Sequence, residues 1–463
     1  MKKELFRLSS ILSLAVLTTF ASCSSDRGGD EVDPTPTPSA VVELKGDLST
    51  QTLKKDTKYL IVGQVFVRSG QTLTVEPGTV IYGDKATKGV LVIDRGGKLN
   101  AVGTAAEPIV FTSGQPVGTR DRGDWGGLVI LGNAPVNQNE PAIEGIAPAV
   151  IFGGTDANDN SGALKYVRVE FAGIELTPNN ETNSITLGGV GKGTEMEYCQ
   201  VSFGGDDGFE WFGGTIDGKH LISFATWDDD FDVDYGYTGN NQFGVAVRYP
   251  SYADQSGSNG FETDNGPNDN VTSLLTTGTF SNFTIIGPKL TSNQSINANF
   301  QHALDMRRRT AVTIANSVFA GFPRGLRMNQ ASVLTNYQNN TGALFNNVML
   351  ANTQTFSAGS GMNVADVEAY WNLANETSTS SDYAAVLSAW GLNSNIFFGN
   401  NVATAYSSNP TFEVTSGTLT TGADFTNAKV SGAFFTKVAY RGAFGSTDWT
   451  TGWAEFNPVN KAY

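Results

Sequence analysis

Short apolar segments, separated by glycine and polar residues, recur along most of this 463-residue chain. They follow one another without the two-residue turns that join antiparallel strands, which favours parallel stacking. The segment starts lie 22 residues apart from Tyr198 to His220 and again from His220 to Gln242. Strands at a fixed period are typical of solenoid coils, so the pattern predicts an all-β chain with one right-handed parallel β-helix over residues 40–350. The recurring segments are YVRVEFAG from Tyr166, YCQVSFGG from Tyr198, HLISFATW from His220, QFGVAVRY from Gln242, NFTIIGPK from Asn282, NSVFAGFP from Asn316 and NNVMLANT from Asn346.

Residues 351–463 lose this regular pattern and are predicted to form a less regular C-terminal cap that packs on the solenoid. Two stretches in the cap, VADVEAYWNLA and DYAAVLSAW, have helical spacing, and the second begins at Asp382, a favourable N-cap. Such helices would cover the sheet edge that the last coil exposes. Longer polar loops between the coils are expected to carry specificity. These loops span 134–163, 175–183, 250–281 and 329–342.

One acidic pattern repeats three times, as FGGDDGFEWFGG, TWDDDFDVDYGY and GSNGFETDNG. Aligning the copies through Phe209, Phe231 and Phe261 places carboxylates opposite one another in successive coils. Each phenylalanine is expected to point inward, so the acid that follows it points outward. The sequence therefore predicts a column of Glu210, Asp232 and Glu262, surrounded by Asp206, Asp207, Asp228, Asp229, Asp230, Asp234 and Asp264.

The negative charges of a column of carboxylates need compensating positive charge. Stacked strands lie about 4.8 Å apart, so adjacent carboxylates repel by about 3 kcal/mol at an effective dielectric constant near 20. Only Lys219 and Arg248 are cationic between Phe203 and Asp264. Hard oxygen ligands without cysteine favour Ca²⁺, which we predict to be bound by the ten acids named above. The alternative is that these acids lie at coil corners and are solvated individually.

The first 22 residues have the features of a secretory signal. A basic start precedes an apolar run, Ile11 to Phe20, that is too short to span a membrane. Cys23, which follows this run after Ala21 and Ser22, resembles the lipidated cysteine that becomes the N-terminus of bacterial lipoproteins. Residues 23–39 are polar and Pro-punctuated, as in a disordered tether. The sequence thus predicts an outer-membrane protein that is held by a lipid anchor alone and faces the cell exterior.

Charge and hydropathy exclude two classes of function. The net charge of −15 argues against nucleic acid as a partner. No segment after the signal approaches 18 consecutive apolar residues, which argues against an integral transporter. Cys199 is the only cysteine besides Cys23, so the mature chain is expected to lack an intrachain disulfide. We expect a monomer.

Several motifs together resemble a family of secreted right-handed parallel β-helix lipoproteins of Gram-negative bacteria. They are the lipoprotein signal, EPIVFTSG, GDWGGLVILG, GGDDGFEWFGG, DDDFD, GFETDN and a terminal GAF with DWTTGW. The resemblance covers nearly all of the mature chain and implies a pectin-lyase-like solenoid at the cell surface. Some members carry the label "multidrug transporter", which the missing membrane spans contradict.

Ligand binding is the first functional prediction. Aromatic residues alternate with the acids, and exposed rings beside carboxylates suit the faces and hydroxyls of sugars. The expected partner is an extracellular glycan or another outer-membrane protein. The predicted ligand-binding residues are Trp211, Trp227, Tyr235 and Tyr237, with Arg307 and Arg309 sharing a face if their segment is extended.

Two alternatives remain open from the sequence. The first is a carbohydrate-active enzyme, because GGDDG resembles the paired aspartates of β-helical polygalacturonases, although their Gly-His-Gly and Arg-Ile-Lys motifs are missing. A Ca²⁺-assisted polysaccharide lyase with Lys219 or Arg248 as base belongs to the same alternative. The second is an adhesin-like spacer whose acids bind Ca²⁺ only to stiffen the coils.

Overall fold

The computed structural model describes residues 41–178, 180–378, 380–398 and 410–463. Each turn of the chain contributes strands to three parallel sheets before the next turn stacks upon it. The segment Ala40–Tyr463 forms one compact unit. The predicted parallel β-helix is therefore confirmed. The predicted signal peptide, Cys23 and the tether lie outside the described residues.

Sheets 1 and 2 share several long strands, which bend at a corner between them. Sheet 1 consists of β1 Val42–Leu48, β3 Tyr59–Val67, β5 Val80–Gly83, β8 Ile109–Ser113, β10 Gly162–Glu170, β14 Glu195–Ser202, β16 Gly218–Phe224, β18 Asn240–Val247, β20 Thr279–Ile286, β23 Val318–Ala320, β26 Val348–Leu350 and β28 Glu376–Ser378. Sheet 2 contains the first halves of β10, β14, β16, β18 and β20 together with β2 Gln51–Leu53, β4 Thr72–Val75, β7 Lys98–Val102, β22 Thr313–Ala315 and β25 Ala343–Phe345.

Sheet 3 carries the acidic repeats. Besides the second halves of β1 and β3, it consists of β6 Val90–Ile93, β9 Leu128–Leu131, β13 Ile185–Gly188, β15 Phe209–Phe212, β17 Phe231–Asp234, β19 Phe261–Thr263, β21 His302–Met306, β24 Arg324–Met328 and β27 Gln354–Ala358. One antiparallel hairpin, β11 Glu175–Thr177 with β12 Asn180–Glu181, projects from a predicted loop outside the three sheets.

Side chains that point alternately inward and outward along each strand determine which residues of sheet 3 form the core. In sheet 3 the three phenylalanines are in register and stack, with ring centroids 5.7 Å apart from Phe209 to Phe231 and 5.0 Å apart from Phe231 to Phe261. All three are fully buried. Successive side chains of a strand point to opposite faces, so the acid after each phenylalanine faces outward. This confirms the predicted register.

The corner between sheets 2 and 1 is a column of residues with left-handed backbone conformation. It begins with Tyr166, Tyr198 and His220, at φ of 50°, 54° and 56°, and continues through Phe243, at 62°. Their rings stack at 4.4, 4.2 and 5.2 Å, which offsets the cost of this conformation for residues other than glycine. The predicted start at Gln242 is therefore one residue early. Asn282, Asn316 and Asn346 continue the column.

The coils extend beyond the predicted boundary at residue 350. Strand β28 pairs with β26, and Val348 lies opposite Glu376. The helix α2 Val364–Trp371 interrupts this coil, and β28 has no fully buried residue, so its strand pattern is weak in the sequence. The other helices are α1 Ala331–Gln338 and α3 Tyr383–Trp390, with short 3-10 turns at Ser394–Ile396, Thr418–Thr420 and Pro458–Asn460.

Both predicted helices of the cap are present. Asp382 caps the N-terminus of α3, since its side chain accepts a hydrogen bond from Ala385 N. Beyond them, residues 436–463 lie along the corner column, and we call this segment the C-terminal strap. From Gly442, whose N donates to Asn316 O, to Tyr463 the strap runs from later coils to earlier ones. Thr436 N donates to Gln242 Oε1 at 2.8 Å, and the Tyr463 hydroxyl donates to Glu170 Oε1 at 2.6 Å.

Candidate metal centre and ligand cleft

The outward column of sheet 3 collects acids from four successive coils. Glu210, Asp232, Glu262 and Asp305 are directly opposite one another, and Arg327 follows in the next coil. The predicted column of three carboxylates is thus one residue longer than expected. Asp305 was not predicted because its segment, HALDM, lacks the phenylalanine that marks the other copies.

A second column, three residues before the first in each coil, holds the coils together. Asp207 Oδ1 accepts a hydrogen bond from Asp229 N at 2.8 Å, and Asp229 Oδ1 accepts one from Asn259 N. Asn259 Oδ1 in turn accepts one from His302 N at 3.0 Å. The side chain of each coil therefore satisfies a backbone donor of the next. These bonds fix the direction of the carboxylates and leave Asp207 a second oxygen for another ligand.

Three groups of carboxylates on this face could each hold a cation, because one oxygen from every member lies within 4.8 Å of the others. Asp207 belongs to the first and second groups, and Asp232 belongs to the second and third, so the groups form one continuous row. We call this row the carboxylate cluster. Its groups are Asp206, Asp207 and Asp228; then Asp207, Glu210 and Asp232; then Asp229, Asp232 and Glu262.

Arginines neutralise the later acids of the column. Arg327 Nε donates to Asp305 Oδ1 at 2.6 Å. Arg307 forms ion pairs with Glu262 and, at 2.5 Å, with Asp264, which also pairs with Arg308 at 2.8 Å. The predicted shortage of cations is therefore wrong for these coils. Within the described residues, no ion pair neutralises the earlier members of the cluster, Asp206, Asp207, Glu210, Asp228, Asp229 and Asp232.

A buried amide next to the cluster lacks a hydrogen-bond donor. Asn183 Nδ2 donates to Glu210 and, at 3.3 Å, to the hydroxyl of Thr186. Asn183 is only 5% exposed, yet no described residue donates to its Oδ1. Asp228 Oδ1 and Asp232 Oδ1 are likewise buried without a donor. Oxygen atoms in this state fit a hard cation such as Ca²⁺, which takes six to eight oxygen ligands.

The pKa values of these acids reflect the same excess of negative charge over positive charge. Burial, and then the charge of neighbouring carboxylates, raises the pKa of Asp207, Glu210 and Asp232 well above the usual range. Burial also raises the pKa of Asp228 to about 6 and that of Asp234 to about 7. A bound divalent ion would lower all of these pKa values, because it stabilises the charged form.

Two cavities flank the cluster. The larger one, which we call the Trp227 cavity, has a volume of about 730 Å³. Trp227 Nε1 donates to Asp254 at 2.9 Å, and the guanidinium carbon of Arg122 lies 3.5 Å from the Trp227 ring centroid. Gly205 forms part of the wall, where a Cβ would lie 2.5 Å from Gly173 O. The cavity is also lined by Gly123, Ile174, Glu175, Glu181, Asp206, Asp228, Gln255 and Ser256.

The smaller cavity, which we call the Tyr235 cavity, has a volume of about 320 Å³. The rings of Tyr235 and Phe212 form one wall, with centroids 5.1 Å apart. Asp206 and Glu181 line both cavities. Its other lining residues are Ala142, Ile143, Glu144, Phe152, Asn180, Thr182, Asn183, Asp207 and Glu210.

Two of the four predicted aromatic ligand residues line these cavities, and two do not. Trp227 and Tyr235 are half-buried and line them. The prediction for Trp211 is wrong, because its ring points inward two residues after Phe209 and is fully buried. Tyr237 is also wrong, since its fully buried hydroxyl donates to Ile216 O at 2.6 Å inside the coil.

Three predicted metal ligands lie outside the three groups of the cluster. Asp230 is fully buried, accepts hydrogen bonds from Ser223 at 2.7 Å and Thr226 at 3.0 Å, and pairs with Arg248. Asp264 is engaged by arginines. Asp234 accepts hydrogen bonds from backbone donors, Tyr235 N at 2.6 Å and Gly266 N.

The predicted basic residues have other partners. Arg307 neutralises acids of sheet 3. Arg309 does not share a face with Arg307, because the backbone turns at positions 308 and 309, where φ is 44° and 65°. Arg309 Nε donates to Asp269 O instead. Arg248 is fully buried, so it cannot act as the base of a lyase. Lys219 lines a separate cavity of about 470 Å³ on another side of the coils.

Sequence reasoning missed residues that the loops bring to the cluster. Arg122 comes from a loop more than 80 residues before the acidic repeats, and Glu181 comes from the β11–β12 hairpin. Asn183 occupies the position in β13's coil that Asp207 and Asp229 occupy in the next two. Extending the repeat backwards by one coil would have found Asn183. Nothing in the pattern indicates Arg122 or Glu181.

These features define the class of protein: a parallel β-helix with a carboxylate-lined cleft on one face. The model of the pectate-lyase-like beta helix domain family matches residues 46–394, and the chain belongs to that family. Domains of this kind suit carbohydrate-related or surface binding in general. No curated protein and no solved structure matches the chain. Among the described residues, no helix has the length and apolar character needed to cross a membrane.

Proposed function

We propose that this protein is a surface-exposed outer-membrane lipoprotein that binds Ca²⁺ at the carboxylate cluster and an extracellular glycan in the adjoining cavities. The observation that carries the proposal is the contrast within one column of sheet 3. Asp305 is paired with an arginine, whereas Glu210 and Asp232 converge with Asp207 in one group, and no described arginine forms an ion pair with any of its three members. A divalent cation supplies the missing compensation.

The cavities support a ligand beyond the ion. Both cavities reach the cluster, and each presents an aromatic ring beside oxygen ligands, as sugar-binding sites do. The surface location rests on the secretory signal, on Cys23 and on the tether in the sequence. Replacing Cys23→Ala should move the protein from the membrane fraction to the soluble fraction. Retention in the membrane fraction would contradict lipidation at that residue.

Isothermal titration calorimetry of the mature chain with Ca²⁺ tests the ion site. Glu210→Gln should weaken Ca²⁺ binding by at least tenfold, because it removes a charged ligand from the central group. Glu195→Gln is the matched control, since Glu195 is exposed on sheet 2, and its Ca²⁺ affinity should equal that of the unaltered chain. Unaltered protein that takes up no Ca²⁺ would refute the proposal.

A polysaccharide lyase is the second candidate. Arg122 favours it, because its guanidinium lies over Trp227 in the larger cavity, and among the described residues Arg122 is the only basic one that lines this cavity. Incubation with uronate polymers and Ca²⁺ would then give an unsaturated product with ultraviolet absorbance, and Arg122→Ala would abolish it. Ca²⁺ binding without product or glycan binding would favour the structural spacer.

A further inference from the structure

From the shape and charge of the Tyr235 cavity, we infer that it binds a neutral hexose whose adjacent hydroxyls complete the coordination of the cation held by Asp207, Glu210 and Asp232. The inference rests on the proposed function, because it requires the ion. It goes further in naming the class of sugar and the residues that select it. Four features of the cavity carry it.

The first feature is the position of the ion site. Asp207, Glu210 and Asn183 all line the cavity, and they include two of the three members of the central group. Asn183 Oδ1 is buried without a donor, so a carbonyl ligand is available beside the carboxylates. Ca²⁺ needs more oxygens than these residues supply. Because Asp207, Glu210 and Asn183 line the cavity, hydroxyl groups of a ligand bound there would be placed to supply the missing oxygens.

The second feature is size. Ligand cavities commonly range from about 300 to 1,000 Å³, and the Tyr235 cavity, at about 320 Å³, lies at the lower limit. This volume suits one sugar unit. The larger Trp227 cavity, which shares Asp206 and Glu181 with it, has room for the units that follow in a chain.

The third feature is the aromatic wall. Tyr235 is half-buried and packs on Phe212, which fixes the position of its ring. Tyr235 follows Asp234 directly and adopts a φ of 49°, so the turn directs the ring differently from the inward Val233. An aromatic ring held beside an ion site offers an apolar surface to the C–H face of a sugar whose hydroxyls bind the ion.

The fourth feature is charge. Among the described residues, those that line the Tyr235 cavity include five acids and no lysine or arginine. One divalent ion leaves this set with a net negative charge, so a uronate carboxylate would be repelled. The acids are Glu144, Glu181, Asp206, Asp207 and Glu210. The cavity therefore discriminates between a hexose and the matching uronic acid.

The experiment compares matched sugar pairs by ligand-observed NMR and calorimetry on the mature chain with saturating Ca²⁺. The probes are D-glucose, D-galactose and D-mannose, and the affinity for each is compared with the affinity for the corresponding uronate. We expect at least one hexose to bind at least tenfold more tightly than its uronate. EDTA should abolish that binding, and added Ca²⁺ should restore it, which tests the inference without any variant.

Variants assign the binding to this cavity. Tyr235→Ala should weaken hexose binding by at least tenfold and change Ca²⁺ affinity by less than twofold. Phe434→Ala is the matched control, because Phe434 is a half-buried aromatic residue that lines the separate cavity beside Lys219. This variant should bind the hexose like the unaltered chain.

The outcomes separate the two proposals. Ca²⁺ binding without hexose binding, equal binding of uronates, or hexose binding that Tyr235→Ala leaves unchanged would overturn the inference and leave the ion site intact. Binding of D-glucosamine in EDTA would also overturn it, since the acids would then recognise an ammonium group directly. Absence of Ca²⁺ binding would overturn both.

Discussion

At the scale of single residues, the outward column of sheet 3 shows two ways of holding carboxylates at the spacing of stacked strands. Asp305, 1% exposed, accepts hydrogen bonds from the guanidinium of Arg327. Glu210, 8% exposed, receives only the neutral amide of Asn183 among the described residues. Both acids are buried to a similar extent, so the two differ in their partners: Asp305 has a cationic partner, and Glu210 has none among the described residues.

The Asp305–Arg327 pair gives a prediction about stability. Arg327→Gln leaves a buried carboxylate unpaired, which should lower the free energy of unfolding by about 3–5 kcal/mol. The double variant with Asp305→Asn should recover most of this loss, because no buried charge remains. Urea denaturation measures both. Arg309→Gln is the control, and it should change stability by less than about 0.5 kcal/mol, because its partner Asp269 is 40% exposed and stays solvated. A loss below 1 kcal/mol for Arg327→Gln would contradict this account.

Several residue-level predictions followed from the sequence because the 22-residue spacing is visible there. Glu210, Asp232 and Glu262 could be placed in one column from the phenylalanines alone. Trp211 could have been placed in the core by strict alternation from Phe209. Alternation from Phe231 would place both Tyr235 and Tyr237 inward. The turn after Asp234 directs Tyr235 outward, and no local pattern in the sequence indicates that change.

At the scale of elements, the corner column determines where coils bend. His220 and Phe243 are stacked neighbours, although the spacing in the sequence suggests Gln242. One extra residue between the coils shifts the register, and a single sequence does not reveal in which turn it is inserted. The structure of the cap is also hard to predict from the sequence, because β28 lacks buried residues and the C-terminal strap has no repeat.

The strap is predicted to stabilise the solenoid through its aromatic residues. Trp453 is 1% exposed and packs edge-on against Tyr166 and Tyr198, with ring centroids 5.8 Å apart in each pair. Trp453→Ala should lower the free energy of unfolding by about 3–5 kcal/mol. Leu373→Ala, at a residue 78% exposed, should change it by less than about 0.5 kcal/mol. Thermal or urea unfolding measures both variants, and equal stabilities would show that the strap does not support the coils.

At the scale of the whole molecule, the parallel β-helix could be predicted because every coil repeats the same apolar pattern. The cleft could be predicted only in part. Its floor comes from consecutive repeats, whereas Arg122 and Glu144 come from loops whose path no local pattern encodes. The sequence therefore predicts the acidic floor of the cleft and does not predict its walls.

The cluster makes a prediction for the pH dependence of stability in EDTA. The folded-state pKa values of Asp228 and Asp234 are raised to about 6 and about 7, above those of an unfolded chain. Their contribution to stability is therefore fully present below about pH 4 and is lost as the pH rises through 7. Ca²⁺ should offset this loss at pH 7, by about 2.7 kcal/mol at a hundredfold excess over Kd. Melting temperatures at several pH values measure the effect.

The Asp232→Asn variant is the control for this pH series. It removes one of the interacting carboxylates, so its melting temperature in EDTA should fall less steeply between pH 5 and 7, and Ca²⁺ should raise it less. The account would be contradicted if the unaltered chain in EDTA were more stable at pH 7 than at pH 5 and insensitive to Ca²⁺. The carboxylates would then carry no uncompensated negative charge.

Anomalous diffraction from crystals soaked with a Ca²⁺ substitute such as Tb³⁺ tests the central claim most directly, because it locates the ion without reference to activity. The account predicts a strong anomalous peak between the carboxylates of Asp207, Glu210 and Asp232, within coordination distance of Asn183 Oδ1. It predicts no peak beside Asp305, whose carboxylate is neutralised by Arg327. A cluster without a peak in crystals that show Tb³⁺ elsewhere would contradict the account.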